Sequence, residues 1–144
     1  IDRTGKFTVL GALGSRSSAI FDLDSDGDLD IVTNEFNSAP QILTSNLAQK
    51  HPIHFVKIDL RGTLSNRNGL GAKVTVTAGD LTITRVQDGK SGYLSQSALP
   101  LYFGLGRATQ VDRIDVLWPS GIQQTVHKPA VRNSVLQIVE TRTK

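Results

Sequence analysis

The sequence predicts an all-β chain: an antiparallel β-sandwich or barrel-like domain behind a short N-terminal β-meander. Three observations carry that expectation. Short segments rich in β-forming residues recur from one end to the other. Several of them alternate apolar and polar residues with a period of two, most cleanly at 72–78, where Ala72, Val74, Val76 and Ala78 face in and Lys73, Thr75 and Thr77 face out. No long window carries the apolar stripe of an amphipathic helix, and Gly-rich turn signals recur at the short spacing of a sandwich or barrel.

A first strand is expected at 7–10. Segments 18–23 and 30–36 follow, on either side of an aspartate-rich loop. Segment 41–45 comes after the turn cluster Asn37-Ser38-Ala39-Pro40 and completes the meander. Residues 47–52 then read as a linker, which divides the chain into a meander at 1–46 and a second β domain at 53–144. In the second domain, 53–60 places His54, Val56, Ile58 and Leu60 on one side and Lys57 and Asp59 on the other. Gly79-Asp80 turns the chain into 81–87. Segments 111–118, 122–126 and 134–140 complete the set, with Pro119-Ser120-Gly121 as a tight turn between the first two.

Composition excludes several classes. At 144 residues the chain is long enough to bury a core without staples, and no apolar run approaches a membrane span. The absence of cysteine rules out disulfides, thiolate metal sites and cysteine nucleophiles. The net charge of +3 is mild, and Arg61, Arg67, Lys73, Arg85 and Lys90 are scattered rather than gathered into a stripe, so no nucleic-acid partner is expected. The start at Ile1 and the lack of Met read as a mature or excised piece.

The sharpest feature is Asp22-Leu-Asp24-Ser-Asp26-Gly27-Asp28-Leu-Asp30. Alternate residues of a tight loop point toward a common centre, and hard carboxylate oxygens there suit calcium, which takes six to eight oxygen ligands. Gly27 permits a backbone bend with φ above zero. Carboxylates about 6 Å apart repel by roughly 0.7 kcal/mol per pair even in water, and a cation removes that cost. Asp22, Asp24, Asp26 and Asp30 are expected to ligate through their side chains, and Asp28 through its carbonyl with its carboxylate turned outward. The twelfth position is Thr33 and the flanks are strands, which excludes an EF-hand.

The loop, with Ala19-Ile-Phe-Asp22 before it and Asp30-Ile-Val-Thr-Asn34 after it, resembles the calcium-binding FG-GAP repeat of integrin-type propeller blades. Three later clusters resemble the ASPIC/UnbV domain: Gly62-Thr-Leu-Ser65-Asn66-Arg67-Asn-Gly69-Leu-Gly71-Ala72, Asp88-Gly89-Lys-Ser-Gly92-Tyr93-Leu-Ser95-Gln96-Ser97, and Phe103-Gly104-Leu-Gly106 through Val116-Leu-Trp118-Pro119-Ser120-Gly121. The order of a repeat followed by this domain is similar to that of the cartilage acidic protein family. The resemblance implies a meander like one propeller blade. One blade cannot close a propeller, so the meander is expected to bury Phe21, Ile31 or Val32 on the second domain, or to be covered by the rest of a parent chain or by another copy.

Most residues of the later clusters have a structural reading: Gly69, Gly71, Gly104 and Gly106 for turns or bulges, Ser65, Asn66, Ser95 and Ser97 for loop backbone groups, Arg67 as a tie between loops, and Trp118 for the core. The competing reading is a ligand site formed by Asn66, Arg67, Tyr93 and Gln96, where two loops meet. His51, His54 and His127 have no metal-ligand spacing, and no nucleophile elbow or dinucleotide fingerprint is present. The expected function is therefore a non-catalytic, calcium-stabilised structural or adhesion-type module. It is expected outside the cell or at its surface, as the C-terminal part of a larger secreted protein, with a protein or glycan partner. The alternative is a carbohydrate-binding module.

Overall fold

The computed structural model describes residues 14–90, 93–94, 96–97 and 99–141, so the strand expected at 7–10 lies outside the described residues. Among the described residues the secondary structure is all β, with ten strands in three sheets and no closed barrel. The meander holds β1 (Ser15–Phe21), β2 (Asp30–Glu35) and β3 (Gln41–Leu43), in that spatial order and antiparallel throughout. Then come β4 (Phe55–Arg61), β5 (Lys73–Ala78), β6 (Leu81–Val86), β7 (Leu101–Gly104), β8 (Arg113–Leu117), β9 (Gln123–His127) and β10 (Ser134–Val139). One sheet runs β10-β4-β7 and the other β6-β5-β8-β9.

These two sheets face each other across an apolar core. Val56, Ile58 and Leu60 of β4, Phe103 of β7 and Ile138 of β10 meet Val74, Val76 and Ala78 of β5 and Ile114 and Val116 of β8. The alternation expected at 53–60 and 72–78 is the alternation observed. Trp118 belongs to this core: it is 1% exposed, and its indole N–H donates to Gln124 Oε1 at 3.1 Å, which satisfies its one polar atom.

Two features depart from the expectation. Strand β10 pairs with β4 in parallel, from Ser134 beside Val56 to Val139 beside Arg61, so the sandwich is not purely antiparallel. Alternation reports which face a residue takes and says nothing of the direction of its neighbour. Strand β7 was not expected at all. It is four residues long, follows Pro100 and ends on Gly104, a residue read from sequence as a turn or bulge.

The meander does not lay a face on the sandwich. Ile31 is 36% exposed and Ile20 and Ile42 are 58% exposed, while Phe21 and Val32 are only half-buried. What meets the sandwich is the aspartate loop. Phe55, Lys57 and Tyr102 lie on the outer face of the β10-β4-β7 sheet, opposite in direction to Val56 and Phe103, and they hold that loop.

Candidate functional site

The loop is built from its own carboxylates. The Asp26 amide donates to Asp24 Oδ1 at 3.2 Å and the Asp28 amide to Asp26 Oδ1 at 3.0 Å, two local turns that wind the chain. Ser25 and Gly27 take positive φ, 66° and 100°. Glycine is required at 27 for a second reason: a Cβ there would lie 2.8 Å from Phe55 Cε1. The loop closes where Asp30 Oδ2 accepts the Leu23 amide at 2.9 Å.

Contacts with the rest of the chain orient it. Asp30 Oδ1 accepts the Ser45 amide and Asp28 Oδ2 the Ala48 amide, each at 2.8 Å, so the segment leaving β3 is fastened to the loop. The Lys57 ammonium donates to Asp22 Oδ2 at 2.8 Å, with the Asp22 side chain fully buried. The Tyr102 hydroxyl donates to the Gly27 carbonyl at 2.6 Å, and its ring stacks on Phe55 with centroids 5.2 Å apart.

This arrangement brings Asp22, Asp24 and Asp30 together: one carboxylate oxygen from each lies within 4.8 Å of the other two. Asp26 is exposed at the rim and binds the Asp28 amide. Asp28 differs from the expectation, because its side chain turns inward and is 3% exposed. Its carboxylate anchors the linker, which the inward turn of the chain after Gly27 makes possible. The oxygens Asp22 Oδ1 and Asp28 Oδ1 are buried and accept no hydrogen bond among the described residues. A buried carboxylate oxygen without a partner is costly unless a cation meets it. Five aspartates face one lysine here, so the local charge stays strongly negative. The donor set fits a hard divalent cation: Asp22, Asp24 and Asp30 are the residues that would hold it.

Charge in the loop is visible in its neighbours. At Asp26 the bond from the Asp28 amide favours the carboxylate, but burial and the carboxylates of Asp24, Asp28 and Asp22 outweigh it and raise the pKa. Burial, then the charges of Asp22, Asp28 and Asp26, push the Tyr102 hydroxyl up to about 12.

The other four candidate residues line neither of the two clefts found among the described residues. Asn66 is a tie: its Oδ1 accepts the Leu70 amide at 2.8 Å and its Nδ2 donates to the Leu70 carbonyl at 2.7 Å. Arg67 is exposed rather than buried, and its side chain makes no hydrogen bond or ion pair among the described residues. Tyr93 is 65% exposed and Gln96 is exposed, in a bridge with Lys90. A cleft of about 820 Å³ opens between the meander and the sandwich, and none of the four lines it.

The residue that ties the second domain's loops is Glu140, which the sequence reading passed over. It is buried, and its Oε2 accepts the amides of Thr63, Leu64 and Ser65, all at 2.8 Å, while Oε1 accepts the hydroxyls of Ser65 and Ser120. Burial alone would raise its pKa. The bonds from Ser120, Ser65 and Thr63 reverse that and hold it down at about 2. A carboxylate ending an alternating strand is the only trace of this in the sequence. Lys57 and Tyr102 were likewise missed as partners of the aspartate loop. Lys57 had been placed on the outward side of its strand, and the loop was the neighbour on that side.

Comparison with known families matches residues 62–144 to the family described as ASPIC and UnbV. That is more than half of the chain, and the chain belongs to this family. The match takes in the Glu140-tied loop and strands β5 to β10, and leaves the meander and β4 outside it. No curated protein matches the chain.

Proposed function

We propose that this member of the ASPIC and UnbV family is a non-catalytic, calcium-stabilised structural or adhesion-type module, acting outside the cell as the C-terminal part of a larger secreted protein. The observation that carries the calcium half is the set of Asp22, Asp24 and Asp30 oxygens within 4.8 Å of one another, together with the buried, unpartnered Asp22 Oδ1. The resemblance of residues 19–34 to an FG-GAP repeat supports it. Calcium, when bound, supplies charge neutralisation, and the chain's own residues do the rest. Lys57 and Tyr102 hold the loop against the sandwich, and the Ser45 and Ala48 amides fasten it to the segment leaving β3, so ordering the loop orders the junction between the two regions.

Isothermal titration with calcium, paired with thermal melting before and after chelation, tests this reading. Binding between about micromolar and millimolar is expected, as for sensor and extracellular sites, with a melting temperature that falls on chelation. Melting indifferent to chelation, with no heat of binding, sinks it. The alternative reading, a carbohydrate-binding module, rests on the exposure of Tyr93, Arg67, Asn66 and Gln96. A glycan array that gives hits lost in Tyr93→Ala would favour that alternative.

A further inference from the structure

The cleft of about 820 Å³ is bordered by an edge strand of every sheet. Among the described residues, β1 ends the meander sheet, β6 ends one sandwich sheet and β7 ends the other. Three consecutive residues of β1, Ser18 to Ile20, and three of β6, Thr84 to Val86, line it, with Leu101 and Tyr102 of β7. Side chains alternate along a strand, so a wall made of consecutive residues is a wall of backbone edge. Unpaired strand edges are usually shortened, covered or blocked by charge, because they template pairing with another chain. Among the described residues, three such edges converge on one space.

We infer that this cleft binds an extended polypeptide segment by strand addition, and that the preferred segment alternates apolar and acidic residues. Backbone hydrogen bonds to an edge supply affinity, and alternate side chains supply selectivity. The apolar half has receptors in place: Ile20 is 58% and Val86 51% exposed at the cleft wall. The acidic half follows from Arg85 and Lys90, which line the cleft and form no ion pair among the described residues; Asp88 is the single lining carboxylate. The space suits a short strand, since it falls within the roughly 300–1,000 Å³ of ordinary ligand sites. A glycan fits less well, because the only aromatic lining among the described residues is Tyr102, whose hydroxyl is engaged with the Gly27 carbonyl. That bond also makes the floor of the cleft a support of the aspartate loop.

The inference rests on the protein-partner half of the reading above, and its failure would leave the calcium half standing. A display library of random peptides of about twelve residues, panned on the intact chain in calcium, is the test. Enrichment of sequences alternating apolar and acidic residues is expected. A synthetic representative should shift the amide resonances of Ser18, Ile20, Thr84 and Val86. Its affinity should fall about tenfold or more when alternate backbone amides are methylated, the loss of one or two hydrogen bonds. Arg85→Glu combined with Lys90→Glu should weaken it comparably without changing calcium titration or melting. No enrichment, affinity indifferent to amide methylation, resonance shifts elsewhere, or a β1 edge found paired with the chain's own first residues would each overturn the proposal.

Discussion

Strands β4, β5 and β8 bury Val56, Ile58, Val74, Val76, Ile114 and Val116 completely or nearly so, whereas β1, β2 and β3 leave Ile20, Ile31 and Ile42 in solvent. The two regions use the same alternating strand chemistry with opposite results. In the sandwich a second sheet covers the first, and apolar area removed from water supplies the stability. In the meander no sheet covers either face among the described residues. Its attachment to the sandwich is mainly polar, one ion pair, one tyrosine hydroxyl and a loop of carboxylates, with the Phe55 ring packed under Gly27 as the apolar part. The contrast assigns hydrophobic stability to residues 55–139 and a mainly electrostatic attachment to residues 15–48, the region on which the proposed calcium would act.

The largest effect that contrast forecasts is in the core. Trp118→Ala should cost about 3–5 kcal/mol in denaturant unfolding, while Ile42→Ala should stay within about 0.5 kcal/mol. Equal costs would break the comparison. Next is the ion. At a calcium concentration about one hundred times the dissociation constant, binding adds roughly 2.7 kcal/mol to whatever unfolds with the loop. Hydrogen exchange should then quicken on chelation at residues 15–48 and remain unchanged in β5 and β8. Asp22→Asn should reproduce this without chelator. Exchange that quickens evenly over the whole chain would mean that the two regions unfold as one.

The third test reads a slope. Glu140 has a folded pKa lowered to about 2, so the unfolded chain takes up its proton first as pH falls. Its contribution is fully present above the ordinary carboxylate value of 4.5 and is lost as pH drops from there through about 2. Glu140→Gln should flatten the acid limb of sandwich unfolding over that window. An unchanged limb would remove Glu140 from its role as the tie. The smallest effect is Tyr102→Phe, which deletes one hydrogen bond to the Gly27 carbonyl and should cost about 1 kcal/mol in the meander alone. Because the hydroxyl is raised to about 12, wild-type stability falls as pH rises from 10 to 12, and this loss should vanish in the variant.

Much of this was legible in the chain. Alternation at 72–78 named the inward residues of β5 correctly, because a strand with one buried face must repeat every two residues. The five aspartates with Gly27 located the acidic loop, since carboxylate crowding at that spacing has few other uses. The inward turn of Asp28 was not legible. It depends on the Ala48 amide, twenty residues away, and an outward carboxylate would satisfy local sterics equally well. Strand β7 escaped because the four residues from Leu101 to Gly104 are too short a stretch to show a period.

By itself the sequence determined the all-β class, the inward faces of β4 and β5 and the identity of the carboxylates, all of which follow from local periodicity and residue chemistry. The tertiary structure alone decided which strands became neighbours, that β10 lies parallel to β4, and that Lys57 and Tyr102 grip the aspartate loop. It also decided that Glu140 gathers the 63–65 amides and that three sheet edges open on one cleft. Each of these joins residues far apart in the chain. Whether such groups meet is settled by how whole sheets pack, which a repeat of two residues does not encode.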